Sequence, residues 1–120
     1  MALTQQQAQQ FLLQAQVYQQ QMQNIIAQKE ALRVQELEIK KASEELAKSK
    51  ERSVYKISGT ILIKASREEV SRDLKEKQET IATRMATLEK SENSIKDRIE
   101  EIRKKLSEPV KENGSTSGGG

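Results

Sequence analysis

Residues 53–65 read SVYKISGTILIKA, and this stretch decides the fold because it separates two long heptad patterns. It is rich in β-branched residues and contains one Gly, which is typical of two short strands joined by a turn. The dipeptide Ser58-Gly59 predicts a two-residue turn. That turn sets two cross-strand pairs on each face of the hairpin: Ile57 with Thr60 and Tyr55 with Leu62, then Lys56 with Ile61 and Val54 with Ile63.

Outward from this segment, apolar residues recur every seven positions in both directions. The two ladders are Phe11, Tyr18, Ile25, Leu32, Ile39 and Leu46, then Leu74, Ile81, Leu88, Ile95 and Ile102. Paired from the inside out, from Leu46 with Leu74 to Tyr18 with Ile102, the residue numbers always sum to 120. A heptad ladder keeps one stripe of a slightly underwound helix facing a partner. The sequence therefore predicts a mainly α-helical chain, a long antiparallel coiled-coil hairpin with a central β-hairpin.

Capping signals mark the predicted helix ends. Thr4 with Gln7, and Ser66 with Glu69, have the spacing of a capping box, and Pro109 cannot continue a helix. We expect four segments: an N-terminal helix over 1–52, the β-hairpin over 53–65, a C-terminal helix over 66–108 and a flexible tail over 109–120. The last seven residues of the Gly/Ser-rich tail are as easily a non-native linker as native sequence.

Composition narrows the possible functions of the 120-residue chain. Charged residues make up 32% and aromatic residues 2%, which suits a narrow seam better than a broad core. The net charge of +3 comes from interleaved acidic and basic residues, so we expect no nucleic-acid partner. With no Cys and no His, the commonest zinc ligands are absent, and so are the commonest general base and a thiol nucleophile. We expect no enzyme activity, no cofactor and no metal.

The N-terminal segment has an unusual composition. Residues 1–28 carry no charged side chain, and twelve of them are Gln. So many amides exclude a membrane span, and the segment lacks the basic start and continuous apolar run of a signal peptide. We expect a soluble, cytoplasmic protein that does not bind membranes.

Two groups of apolar residues lie off the ladders and suggest binding. Both faces of the predicted hairpin carry apolar side chains. This favours association of several hairpins into a larger sheet or barrel over a hairpin that has no binding role at the end of a monomeric coiled coil. At the free end of the coiled coil, Leu13 and Val17 have no partner within one hairpin, and Leu3 lies beyond the opposing helix. Such a surface suits binding of unfolded apolar segments. The alternatives are a frayed end or an end buried in a larger bundle.

Four stretches of the chain resemble the beta-class subunit of prefoldin, especially its archaeal form. The hairpin YKISGTILIK at 55–64 carries most of the resemblance, with YQQQ at 18–21, LKEK at 74–77 and an Ile-x-x-x-Met-x-x-Leu pattern at 81–88. The likeness covers about residues 5–107. A single hairpin segment suits the beta class, because the alpha class carries two.

The resemblance implies a specific assembly and activity. Prefoldin is a hexamer of two alpha and four beta subunits, whose hairpins form a double β-barrel from which six coiled coils extend. Their tips hold non-native proteins without ATP and pass them to a group II chaperonin in the cytosol. The implied partners of this chain are thus a prefoldin alpha subunit, unfolded client proteins and a group II chaperonin.

The resemblance also implies roles for individual residues. Six residues would contact clients at the tips: Leu3, Phe11, Leu13, Val17, Leu106 and Val110. Seven would build the assembly: Val54, Tyr55, Ile57, Gly59, Ile61, Leu62 and Ile63. The main alternative function is a structural coiled-coil scaffold or filament subunit that binds no clients. Nucleic-acid binding is a third possibility, and it would need a basic face that the interleaved charges do not provide.

Overall fold

The computed structural model describes residues 3–107 and 110–111. In chain order, the elements of these residues are β1 (Leu3–Thr4), α1 (Gln5–Lys48), β2 (Ser53–Ser58), β3 (Ile61–Ser66), α2 (Arg67–Leu106) and β4 (Val110–Lys111). The predicted fold class is confirmed, since two long helices are joined by an antiparallel β-hairpin.

Both long helices begin at the predicted capping signals. At α1 the box is reciprocal: the Thr4 N–H donates to Gln7 Oε1 at 3.0 Å, and the Gln7 N–H donates to Thr4 Oγ1 at 3.1 Å. At α2 the Glu69 N–H donates to Ser66 Oγ at 3.1 Å, whereas the Glu69 carboxylate accepts from Lys56 Nζ. These bonds give partners to N–H groups that a helix leaves unbonded at its start.

The helices end a few residues inside the predicted boundaries. Helix α1 stops at Lys48 rather than at residue 52, and α2 stops at Leu106 rather than at residue 108. The Arg67 guanidinium caps the end of α1, because it donates to the carbonyl oxygens of Ser49 and Ala47. Carbonyls at a helix C-terminus lack partners within the helix, and a basic side chain that binds them stabilises that end.

The chain forms two compact units, and each holds a segment of both long helices. We call Lys29–Thr87 the hairpin unit, because it contains β2 and β3. We call Met1–Gln28 together with Leu88–Gly120 the terminal unit, because it contains both ends of the chain.

The heptad ladders lie along the seam between the helices. Ile39 and Ile81 line one groove of the hairpin unit, and Tyr18 and Ile102 line one groove of the terminal unit. The helices are therefore antiparallel within each unit, as the mirrored ladders predict. Every ladder residue is buried or half-buried. Within residues 3–107, neither α1 nor α2 contains the continuous apolar stretch that crossing a bilayer requires.

Lys29, the first charged residue of the chain, is buried as well. It lies four residues after Ile25, which places it on the same stripe of α1 as the ladder. A polar residue at one core position of a coiled coil restricts the alignment and number of helices, at a cost in stability. The burial of Lys29 thus favours one alignment of α1.

The register of the β-hairpin differs from the predicted one. Ser58 pairs with Ile61, so the two turn residues are Gly59 and Thr60, and the predicted Ser58-Gly59 turn is wrong. The full set of pairs is Ser53–Ser66, Val54–Ala65, Tyr55–Lys64, Lys56–Ile63, Ile57–Leu62 and Ser58–Ile61. Gly59 has φ 61°, and hairpin turns of two residues require a positive φ at their first position. Each residue of β2 pairs with a residue of the second strand two positions later than predicted. A shift of two positions leaves every side chain on its predicted face.

The two ends of the described chain pair with each other. Leu3–Thr4 and Val110–Lys111 form a short parallel ladder, in which Leu3 lies opposite Val110. The prediction of a flexible tail is therefore wrong for residues 110–111, whose backbone groups find partners in β1. The rest of that predicted tail, 109 and 112–120, lies outside the described residues.

Leu32→Ala and Leu37→Ala form a matched pair, because both leucines lie in α1 of the hairpin unit and their exposed fractions are 7% and 52%. Leu32→Ala removes seam packing and should lower the free energy of unfolding by about 2–4 kcal/mol. Leu37→Ala should change it by less than about 0.5 kcal/mol. Urea unfolding followed by circular dichroism measures both values. Equal losses would show that the ladder is not the core.

Candidate functional site

One face of the β-hairpin is apolar and open. It carries Tyr55 and Ile57 from β2 and Leu62 from β3, and all three are exposed, Ile57 at 78%. Ile57 and Leu62 are direct cross-strand partners, so their side chains lie side by side. A two-stranded hairpin is marginal in water and leaves two strand edges unpaired. This open face has the features of a surface that another chain covers.

The opposite face of the hairpin is partly covered by its own chain. Ala65 is buried, and Val54 and Lys56 are half-buried. Ile61 and Ile63 complete this face and are exposed. The two faces are therefore unequal, although the sequence alone gives apolar residues to both. The face of Tyr55 leaves more apolar side chain exposed than the opposite face does.

Lys56 connects the hairpin to α2 by two ion pairs. Its Nζ lies 3.2 Å from Glu69 Oε1 and 3.7 Å from Asp73 Oδ2, one turn further along the helix. The hydrogen bond to Glu69, followed by the charge of Glu69, raises the pKa of Lys56 above its ordinary value of 10.5. Heptad spacing gives no sign of this role, although strand alternation places Lys56 on the face that meets α2.

Two of the expected client-binding residues are exposed in the terminal unit. Leu13 is 62% exposed, and Val17, one turn later on α1, is exposed as well. We call these two residues the α1 apolar patch. Leu12, which is not among the expected client-binding residues, is also exposed. No charged side chain occurs between residues 5 and 28 of this helix, so the patch has a neutral surrounding on α1.

The other expected client-binding residues are less accessible. Leu3 is only 9% exposed, which corrects the expectation that it lies free beyond the opposing helix; its strand is paired with β4 instead. Phe11 and Leu106 are half-buried. For Val110 the structure describes the backbone pairing alone. The α1 apolar patch is thus the accessible part of the predicted set.

Basic side chains of α2 cover both aromatic rings of the terminal unit. Arg98 Nη1 donates to Tyr18 Oη at 3.2 Å, and the guanidinium carbon lies 5.8 Å from the ring centroid. Lys105 Nζ lies 5.4 Å from the centroid of Phe11. Such cation–π contacts favour one placement of the cation over the ring. The mirrored ladders could have indicated the first contact, since they pair Tyr18 with Ile102, one turn from Arg98.

The described residues show no arrangement suited to catalysis. Across residues 3–107 no group of three or more acidic side chains is placed to hold a metal ion. The hydrogen bond from the Arg103 guanidinium lowers the pKa of Glu100, so this carboxylate stays ionised, the opposite of what a general acid needs. The fold is that of a coiled-coil helical hairpin whose connecting strands keep an open apolar face.

Comparison with known proteins identifies the family. The family model for "Prefoldin subunit" matches residues 9–113. The prefoldin subunit beta of Pyrococcus furiosus is 39% identical over 101 residues, covering 83% of this chain and 86% of the relative. The corresponding subunit of Thermococcus onnurineus is 38% identical over 101 residues, covering 83% and 87%. The chain belongs to the prefoldin subunit family, and its similarity lies in the beta class.

Solved structures agree with this placement. The crystal structure of the prefoldin beta subunit from Thermococcus strain KS-1 matches with a TM-score of 0.80 and 32% identity, over 88% of this chain and 94% of that one. The beta2 subunit from the same strain shares the fold, with a TM-score of 0.68 and 18% identity, over 75% and 97%. Prefoldin subunits are chaperone subunits rather than enzymes, and they form oligomeric complexes with other prefoldin subunits.

Lys56→Met should loosen the attachment of the hairpin to α2. We expect backbone amides of β2 and β3 to exchange with deuterium about twofold to fivefold faster, the range that loss of an exposed ion pair produces. Lys64→Met is the matched control, because Lys64 lies on the other face of the hairpin. About 1 M salt should reproduce the effect in the unchanged chain, since screening then acts over roughly 3 Å. Equal exchange in both variants would contradict the anchoring role.

The raised pKa of Lys56 sets the pH range of this anchor. A group whose pKa is raised by folding contributes its stabilisation below its unfolded pKa and loses it as the pH rises through the folded value. The anchor should therefore be intact at neutral pH and fail only above the ordinary value of 10.5. Thermal unfolding measures this effect. The difference in melting temperature between the unchanged chain and Lys56→Met should disappear in that alkaline range.

Proposed function

We propose that this chain acts as the beta-class subunit of an ATP-independent holdase, a prefoldin-like hexamer of two alpha and four beta subunits. In this proposal the complex works in the cytosol, holds non-native proteins on the terminal units, and passes them to a group II chaperonin. Membership of the prefoldin subunit family supports the chaperone role. The exposed apolar surfaces suggest a division of labour, in which the hairpin unit serves assembly and the terminal unit serves client binding.

The open hairpin face supports the assembly step. Tyr55, Ile57 and Leu62 expose a contiguous apolar surface next to two unpaired strand edges. Joining hairpins from several subunits would pair the edges and remove this surface from water, which stabilises the assembly by roughly 25 cal/mol for each Å² of apolar area buried. Because the other face is anchored to α2 through Lys56, each hairpin would present the same face to its neighbours.

The observation that carries the client-binding step is the exposed α1 apolar patch within an uncharged helical segment. Leu13 and Val17 lie outside the seam and are accessible in the folded chain. Their neighbours on α1 are mainly Gln amides, which form hydrogen bonds without imposing charge specificity. A surface of this kind suits many unrelated unfolded segments, since it offers apolar contact without a shaped pocket.

Several such patches on one complex would explain how weak contacts hold a client. One patch of two aliphatic side chains gives low affinity by itself. Subunits joined through their hairpins present several patches to the same chain, and each further contact is intramolecular. Avidity of this type can exceed the affinity of one contact by about 10²–10⁴. Release to a chaperonin then needs no ATP, because each individual contact remains weak.

The double variant Leu13→Ser with Val17→Ser tests the client surface. Loss of two aliphatic contacts should raise the concentration needed to suppress aggregation of a denatured protein about tenfold. The matched control is Val34→Ser with Leu37→Ser, which removes two equally exposed residues of α1 from the hairpin unit. Light scattering of the aggregating client measures both. A suppression curve that changes equally in the two variants would contradict this placement of the client surface.

Ile57→Asp tests the assembly surface. A charge in the middle of the open face should prevent association, because a buried unpaired carboxylate is strongly unfavourable. The mass of the complex should fall to that of small oligomers, while helix content by circular dichroism stays unchanged. Val34→Asp, at an exposed position of α1, should leave the mass unaltered. A complex of normal size from Ile57→Asp would favour a scaffold joined through other surfaces.

A further inference from the structure

An open groove of about 800 Å³ lies between α1 and α2 in the terminal unit. Its α1 wall contains Leu13 and Val17, the α1 apolar patch, and its floor contains the ladder residue Ile95. Lys90 and Arg98 stand on the α2 wall. The volume is within the range of natural ligand clefts, about 300–1,000 Å³. The α1 wall thus offers two aliphatic side chains beside Gln and Tyr residues, and the α2 wall offers two cations beside Ser residues.

The charge of the groove is unbalanced. No carboxylate lines it, whereas two cations do. Lys90 forms no ion pair with any of the residues that the structure describes. In an adjoining groove of the same unit, Arg98 is joined by Lys105 and Glu101, and Glu101 is the one acidic residue there. Elsewhere in this unit, Arg103 is paired with Glu100 at 2.7 Å, so its charge is already balanced by a carboxylate of the same helix.

Arg98 is held in place before any ligand arrives. Its Nη1 donates to Tyr18 Oη, and its guanidinium lies over the Tyr18 ring. A guanidinium has five N–H donors, so this single bond leaves donors for a carboxylate. Less side-chain freedom is then lost when an anion binds, because the arginine is already oriented.

We propose that this groove selects client segments in which a carboxylate lies one or two residues from an aliphatic or aromatic side chain. The apolar side chain packs on the α1 apolar patch, and the carboxylate pairs with Lys90 or Arg98. The inference rests on the proposed client-binding function and names the class of segment that this part of the surface takes. Neutral apolar segments still bind there, and basic segments bind least.

A polypeptide fits the groove better than a nucleic acid does. Leu13, Val17 and Ile95 give its lining an aliphatic part, whereas single-stranded nucleic acids are bound by stacking of bases on aromatic faces. The aromatic ring in this groove is Tyr18, and Arg98 already covers it. The cations are also few, whereas phosphate backbones are bound by extended basic surfaces.

Three fluorescent peptides test the proposal on the 120-residue chain. They share one leucine-rich pattern and carry Asp, Ser or Lys at the flanking positions, and fluorescence anisotropy gives their Kd values. We expect the Asp peptide to bind about threefold to tenfold more tightly than the Lys peptide, the range for two exposed ion pairs. This preference should shrink as salt rises, because screening shortens to roughly 3 Å at 1 M.

Charge-matched variants locate the preference. Lys90→Gln with Arg98→Gln should remove it, and Lys90→Gln alone, which leaves the Tyr18 contact intact, should reduce it. Lys96→Gln with Lys104→Gln removes the same charge from exposed positions of α2 outside the groove and should leave the preference unchanged. A preference that survives the first double variant, or that is lost equally in the control, would overturn the proposal.

The remaining outcomes separate this inference from the client-binding function. If all three peptides bind equally, the charge selection is wrong and the holdase proposal stands. If no peptide binds and denatured clients still aggregate, the holdase proposal fails and this inference fails with it. If an oligothymidylate of equal charge displaces the Asp peptide as well as the unlabelled peptide does, the groove is a general anion site and the proposal is overturned.

Discussion

Packing of one narrow apolar stripe on each helix holds this structure together. Helices of 44 and 40 residues are not stabilised by propensity alone, and most helix stability in proteins comes from tertiary packing. Here that packing is supplied by residues spaced seven apart, such as Leu32 in the hairpin unit and Ile95 in the terminal unit, both buried. Aromatic residues make up 2% of the sequence, so few large side chains are left to build a second core. Loss of the seam packing would therefore separate the two helices within each unit.

Two basic side chains tie the ends of the helices and the hairpin together. Arg67 binds carbonyl oxygens at the end of α1, and Lys56 pairs with carboxylates at the start of α2. Both contacts connect elements that a two-stranded hairpin could not orient by itself. The result is one anchored face and one open face on the same two strands. An oriented open face is what repeated assembly of identical subunits requires, because each copy must present the same surface.

Much of the fold follows from pattern, because the seam has a strict period. The ladders predicted two antiparallel helices, and the capping residues Thr4 and Ser66 marked the helix starts within a residue. The hairpin turn was predicted one residue early, since the spacing of apolar residues is compatible with two registers that keep the same faces. The pairing of Ser58 with Ile61 decides between them and makes Gly59 the first turn residue. Strand alternation gives the face of a residue, and it does not give its partner.

The candidate sites were less predictable, because they depend on contacts between residues far apart in the chain. Leu3 looked free from the sequence, yet pairing with β4 buries it. Glu69 looked like half of a capping box, yet its carboxylate binds Lys56, thirteen residues earlier. The placement of Arg98 over Tyr18 joins residues 80 positions apart. Periodicity brings such residues near one another, but only the packed side chains decide which of them meet.

The mass of the complex in solution tests the central claim, that the seam orients a hairpin whose open face is an assembly surface. The chain of 13.6 kDa is measured alone and after mixing with an alpha-class prefoldin subunit. We expect a shift from small oligomers to one discrete species with the mass of two alpha and four beta subunits. A dimer or an open polymer that is indifferent to the alpha-class subunit would contradict it, and would leave a coiled-coil scaffold as the better description.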